Sequence, residues 1–250
     1  MVTLLIAVIL GWICGLIINY LSDVLPISRK FSRPKCTYCQ SDLNLKNYLL
    51  LKPCLKCGAG SSARHWIVLV TGPLLAGMMY YFPPPNLGLW GGILWLIIFG
   101  LVVVIDLEHR LILHVVSIAG AILGMIFGSI NHGVLNTIIG GAAGFGIMLV
   151  FYLLGNLFIK FLSRRRGIEI DEVALGFGDV NLAGVIGLLL GWPGVVAGIF
   201  VAIILGGIVS GFFLIVQILR KKYQANQALP YGPFLVSSVI LLLYFSQSVN

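Results

Sequence analysis

The sequence predicts an all-α polytopic membrane protein of about eight transmembrane helices, with a cytoplasmic four-cysteine insertion after the first helix. Three observations carry this expectation. Of 250 residues, 59% are hydrophobic and 10% charged, whereas a water-soluble domain carries about 25% charge. Apolar runs of roughly 18 or more residues recur along the chain, each long enough to cross a bilayer as a helix. The charged side chains collect in alternate connections between those runs. A soluble enzyme, a disordered tail and a small disulfide-stapled domain are excluded by the same figures.

The first run, Val2 to Leu21, lacks a basic segment before it and a small-residue cleavage site after it. It therefore reads as a retained transmembrane helix and not as a signal peptide. Further runs occupy 66–82, 88–105, 111–130, 134–160, 180–192, 194–219 and 232–247. The sixth is short, and the turn Gly191-Trp192-Pro193-Gly194 separates it from the seventh.

Orientation follows from the charges. If 22–65 is cytoplasmic, all 16 Lys and Arg should fall in 22–65, 106–110, 160–179 or 220–231, and they do. All eight acids fall there as well: Asp23, Asp42, Asp106, Glu108, Glu169, Asp171, Glu172 and Asp179. Topology thus accounts for the net charge of +8 without nucleic acid as a partner. The N-terminus is placed outside. Glycines at 140, 141, 144 and 146, and at 206, 207 and 211, are expected to be packing faces where small residues let helices approach.

Between the first two spans stand Cys36-Thr37-Tyr38-Cys39 and Cys54-Leu55-Lys56-Cys57. Paired C-x-x-C knuckles at that separation match a zinc ribbon. Four thiolates close a tetrahedron with no open position, so such a zinc is structural and does not activate water. A reducing cytoplasmic compartment favours metal over disulfides. The fifth cysteine, Cys14, is expected to be a small packing residue in the first span.

Two acids stand beside apolar runs. Asp106 follows Leu101-Val102-Val103-Val104-Ile105, and Asp179 follows Gly176-Phe177-Gly178 where the sixth span begins. An ionisable group at that depth is expensive and is a functional candidate. Facing carboxylates do not both ionise. The charged member would take a proton from water while the neutral one polarises a peptide carbonyl, which is aspartic-protease chemistry. Gly176 and Gly178 would let an extended substrate lie close to the acid. Two alternatives stay open on the residues alone: Asp179 as the N-cap of its helix, and Asp106 as a loop acid paired with Arg110.

Gly176-Phe177-Gly178-Asp179 resembles the GxGD motif of intramembrane aspartic proteases. With the cysteine module and the span pattern, the chain resembles the type IV prepilin peptidases over most of its length. Gly15 to Asn19 with Leu25-Pro26, Arg64, Thr71-Gly72 and Pro230-Tyr231-Gly232-Pro233-Phe234 fit the same family. The resemblance implies a peptidase that removes the short basic leader of type IV prepilin or pseudopilin precursors at the cytoplasmic face, with Asp106 and Asp179 catalytic. In many members S-adenosylmethionine then methylates the new N-terminus. The chain departs from the family at Val24, His65-Trp66, Leu69, Ile112-Leu113-His114 and Asn181.

The division expected is 1–21 as first helix, 22–65 as zinc-binding loop and methyl-transfer-associated region, and 66–250 as a seven-helix peptidase domain. Glu169, Asp171 and Glu172 would attract a basic leader. Two rival readings are a GxGD protease with other membrane substrates, and a non-catalytic scaffold or transporter that docks a partner through the zinc module. The lack of an acid near the bilayer middle weighs against a transporter.

Overall fold

The computed structural model describes residues 2–36, 38–166, 175–220 and 230–245. Among these the chain is helical, with one isolated β-bridge, Lys35 to Asp42. The helices are α1 (Val2–Ser28), α2 (Leu45–Leu49), α3 (Ala63–Tyr81), α4 (Gly88–His109), α5 (His114–His132), α6 (Val134–Arg166), α7 (Phe177–Leu190), α8 (Gly194–Leu219) and α9 (Gly232–Phe245). Apart from the short α2, each helix falls on one of the apolar runs. Five of them (α1, α4, α5, α6 and α8) are long and apolar enough to cross a membrane. Helices α7 and α9 are shorter apolar helices of 14 residues each.

Several boundaries differ from expectation, among them the ends of α1 and α4. Helix α1 runs on past Leu21 to Ser28, where the Ser28 hydroxyl donates to the Val24 carbonyl at 2.9 Å and Arg29 turns the chain with a φ of 53°. Asp23 therefore belongs to the helix and not to the following loop. Helix α4 likewise runs to His109, which places Asp106 within the helix and removes the reading of it as a loop acid. A single charge does not stop a helix whose backbone bonds are otherwise satisfied, so span ends drawn at the first charge come out short.

The chain divides into two compact units, Met1–His109 and Arg110–Asn250. In the first, α1 packs on α3 and α4. Gly11 and Gly72 bring α1 and α3 together so closely that a Cβ on Gly72 would lie 2.5 Å from the Gly11 carbonyl oxygen. Cys14 is buried against Ile93 and Leu96, as expected of a packing residue.

In the second unit, α7 lies in contact with α5, α6, α8 and α9. Its seam with α6 is built from glycine: a Cβ on Gly187 would meet the Gly140 oxygen at 2.1 Å, and one on Gly144 would meet the Ala183 oxygen at 2.3 Å. Small residues here let two backbones touch. The expectation that every clustered glycine packs is corrected at three positions. A Cβ at Gly146, Gly207 or Gly211 would meet nothing within 4 Å.

Large apolar side chains such as Phe200, Ile208 and Phe212 on α8, or Leu153 and Leu157 on α6, are exposed. Surface of this kind is costly in water and is the normal outer face of a helix in lipid.

Candidate active site and metal centre

Asp106 and Asp179 are the two acids that are buried among the described residues, at 5% and 8% exposure. Asp106 lies in the last turn of α4, below the buried residues Leu101, Val102 and Ile105. Asp179 lies in the first turn of α7, whose N-cap is Gly176. The acid is thus not the cap itself. Its Oδ2 accepts the Gly176 amide at 3.2 Å, the reach-back half of a capping box. The α-carbon of Gly178 is covered: a Cβ there would lie 2.8 Å from the Cβ of Ile112. The small residue lets segment 110–113 press against the turn that carries the acid.

Tyr231, just before α9, lies in the second unit with Asp179. Burial and then the charge of Asp179 push its phenol up to about 12. Glu169, Asp171 and Glu172, expected to attract a basic leader, lie outside the described residues.

All four paired cysteines come together, with their sulfurs within 4.8 Å of one another. Cys36 and Cys57 are 3.6 Å apart, and Cys39 and Cys54 are 3.7 Å apart. A tetrahedral zinc with Zn–S bonds of about 2.3 Å requires sulfur separations of about 3.8 Å. The two knuckles share one backbone pattern. The Cys36 amide donates to the Ser41 carbonyl and the Gln40 amide to the Cys36 carbonyl; the Cys54 amide donates to Ala59 and the Gly58 amide to Cys54. Gln40 and Gly58, at the same place in each turn, have φ of 56° and 71°.

These turns aim amides at sulfur. Hydrogen bonds from the Cys57 backbone, the Ser41 hydroxyl and the Lys56 backbone pull the Cys54 thiol down to about 6. A thiolate already favoured near neutral pH suits a metal ligand. The donor set is soft, closed and complete for a structural zinc.

A polar cluster in the first unit was not legible as a site. The Asp23 carboxylate accepts from the Tyr48 hydroxyl and pairs with Arg64, and its Oδ2 lies 3.0 Å from His65 Nε2. Tyr48 also donates to the Asn19 carbonyl at 3.0 Å, and the Asn19 amide donates to the His65 carbonyl at 3.1 Å. Ser62 meets His65 Nδ1 at 2.8 Å. Arg64 reaches Ser22 as well, and its Nε lies 3.0 Å from Glu108, aligned as an ion pair and not as a hydrogen bond.

Tyr48 sits on α2, between the knuckles, so this cluster moors the cysteine loop to α1 and α3. Burial and the Asp23 charge push the Tyr48 phenol above its ordinary value. The sequence signals were Arg64, one of the residues that fit the family, and Asp23, an acid just past an apolar run.

Comparison with known proteins gives a consistent answer. A model of the type IV leader peptidase family matches residues 90–211. Proteins named prepilin leader peptidase/N-methyltransferase align along nearly the whole chain. The one from Aeromonas salmonicida (strain A449) is 24% identical, covering 87% of this chain and 72% of its own. That from Burkholderia pseudomallei (strain K96243) is 24% identical over 96% of this chain and 84% of its own. Over residues 90–211 the chain resembles the type IV leader peptidase family.

The Pectobacterium carotovorum subsp. carotovorum relative, of the same name, is 28% identical over 80% of this chain and 70% of its own. No solved structure matches the chain. Both aspartates, with Gly176 and Gly178, fall inside the segment matched by the leader peptidase model, and the four cysteines fall outside it. Five helices long and apolar enough to cross a membrane, together with this likeness, point to an integral membrane protein.

Proposed function

We propose that the chain is a prepilin leader peptidase of the bacterial inner membrane, spanning it eight times with the N-terminus outside and working at the cytoplasmic face. Its substrates are type IV prepilin or pseudopilin precursors, cut after a short basic leader. Asp106 and Asp179 form the catalytic dyad. One observation carries the assignment: these are the two buried acids among the described residues, each in the terminal turn of an apolar helix within the matched segment.

A buried carboxylate is retained against a large desolvation cost when its charge is used. In the dyad the ionised carboxylate accepts a proton from the attacking water. The protonated one donates to the carbonyl oxygen, and the proton passes on to the leaving amine. The Gly176 amide holds the Asp179 carboxylate in place for that exchange. Cys36, Cys39, Cys54 and Cys57 would hold a zinc whose contribution is a structural cross-link in the loop 22–65. Segment 66–250 is the peptidase domain of this reading.

A second activity, methylation of the new N-terminal amine from S-adenosylmethionine, is supported by the names of the relatives, and no residue is assigned to it. Mass spectrometry of a pilin-like precursor, incubated with the protein with and without S-adenosylmethionine, tests both. Cleavage should vanish in Asp106→Asn and in Asp179→Asn while thermal unfolding is retained. Normal cutting by either variant would falsify the dyad.

A further inference from the structure

A second site lies in the Arg110–Asn250 unit, on the face of α7 turned away from Asp179. Asn181, Gly184, Val185 and Leu188 recur at helical spacing along this face, whereas Asp179 stands about 200° around the helix from Asn181. With α5 and α6 they line a groove of about 420 Å³. Its polarity is graded. The exposed His114 and the half-buried Asn181 stand at one end, with the Asn181 amide 3.4 Å from His114 Nδ1. Ser117, three residues further into α5, is 9% exposed, and its hydroxyl is buried without a hydrogen-bond partner. Beyond it the groove is apolar, floored by Ala121, Gly141 and Gly184.

A buried hydroxyl left unpaired is costly, so this one points to a ligand oxygen. The volume sets the ligand's size. At roughly 30 Å³ per water-sized group the groove holds about fourteen such groups in file. That suits one hydrocarbon chain, and a transmembrane helix about 10 Å across does not fit. The position sets its chemistry. Ser117 lies about one turn inside the membrane end of α5, the depth at which a lipid chain joins its headgroup through an ester, and the groove leads from there toward the bilayer core.

We propose that this groove binds one acyl chain of a diacyl phospholipid, whose ester carbonyl accepts a hydrogen bond from Ser117 while His114 and Asn181 meet the headgroup side. The bound lipid fills the outer seam of α5, α6 and α7, and so supports the helix that carries Asp179 from behind.

The test uses the full-length protein in nanodiscs doped with a diacyl phosphatidylglycerol that carries a mid-chain photoreactive diazirine. Labelling should concentrate on peptides 114–121 and 181–188, well above the lipid-facing stretch 200–212 of α8. Gly184→Leu fills the groove and should remove that excess. Unlabelled diacyl lipid should compete roughly two- to tenfold better than its dialkyl ether analogue, which lacks the carbonyl. Ser117→Ala should abolish this preference, and it keeps the proposal testable if Gly184→Leu does not fold.

Four results would overturn the proposal: labelling no stronger than on α8, equal competition by ester and ether lipids in the wild type, displacement by a pilin-like peptide, or a groove labelled only between two copies of the chain. Cleavage activity is a separate readout, so failure here leaves the peptidase assignment standing.

Discussion

The seam between α6 and α7 offers a sharp test of how the second unit is held together. In Gly187→Ala the new methyl would sit 2.1 Å from the Gly140 carbonyl oxygen. Carbon–oxygen contacts do not normally close below about 3.3 Å, so the helices must part by about 1.2 Å. The contact does not yield locally, because the oxygen belongs to helical backbone and a Cβ on the opposing Gly140 would likewise lie 2.4 Å from the Gly187 oxygen. Overpacking of this sort costs about 1–3 kcal/mol, partly offset by the 0.5–1 kcal/mol or so that alanine gains over glycine in a helix. The net loss is about 1–2 kcal/mol, or roughly 2–8 °C of thermal midpoint for a chain of this size.

Gly146→Ala is the matched control: it makes the same chemical change on α6 where nothing lies within 4 Å. It should hold or raise the midpoint. Thermal unfolding of the purified protein in detergent measures both. A Gly187→Ala midpoint at or above wild type, or an equal fall for Gly146→Ala, would refute the argument from close approach.

Four further outcomes are expected. Tyr48→Phe removes a hydrogen bond to a charged carboxylate, worth about 1.5–3 kcal/mol. It should make the loop 22–65 more open to limited proteolysis while leaving the cysteines able to bind metal. The same mooring has a pH dependence. The folded state favours the neutral phenol, so the contribution is complete below the ordinary tyrosine pKa of about 10 and fades as pH rises above it. Protease sensitivity that does not grow above that pH, or that grows equally in Tyr48→Phe, would contradict this. Elemental analysis should find one zinc per chain, lost in Cys54→Ser; a metal-free wild type after purification without chelator would count against the site. Gly178→Ala should lower precursor cleavage by about tenfold or more through displacement of the turn bearing Asp179 from Ile112, and unaltered cleavage would show that the contact is slack.

The course of the helices, the metal-binding chemistry and the two acids worth testing were determined by sequence alone. Each rests on a local rule: a run of apolar residues must become a helix in lipid, C-x-x-C spacing places two sulfurs on one side of a turn, and a carboxylate beside an apolar run is costly wherever it ends up. The tertiary structure decided which residues meet. Glycines 144 and 211 each follow another glycine by four residues, yet one faces the α7 backbone and the other faces open space. Asp23 read as a loop acid until helix α1 carried it up to Tyr48, His65 and Arg64, which are 25, 42 and 41 residues away along the chain. Ser117 read as one more residue of an apolar span until α6 and α7 closed around its hydroxyl. Periodicity reports the face on which a side chain stands along its own helix. What stands opposite depends on the direction in which separate helices pack, and that is settled by contacts between residues far apart in sequence.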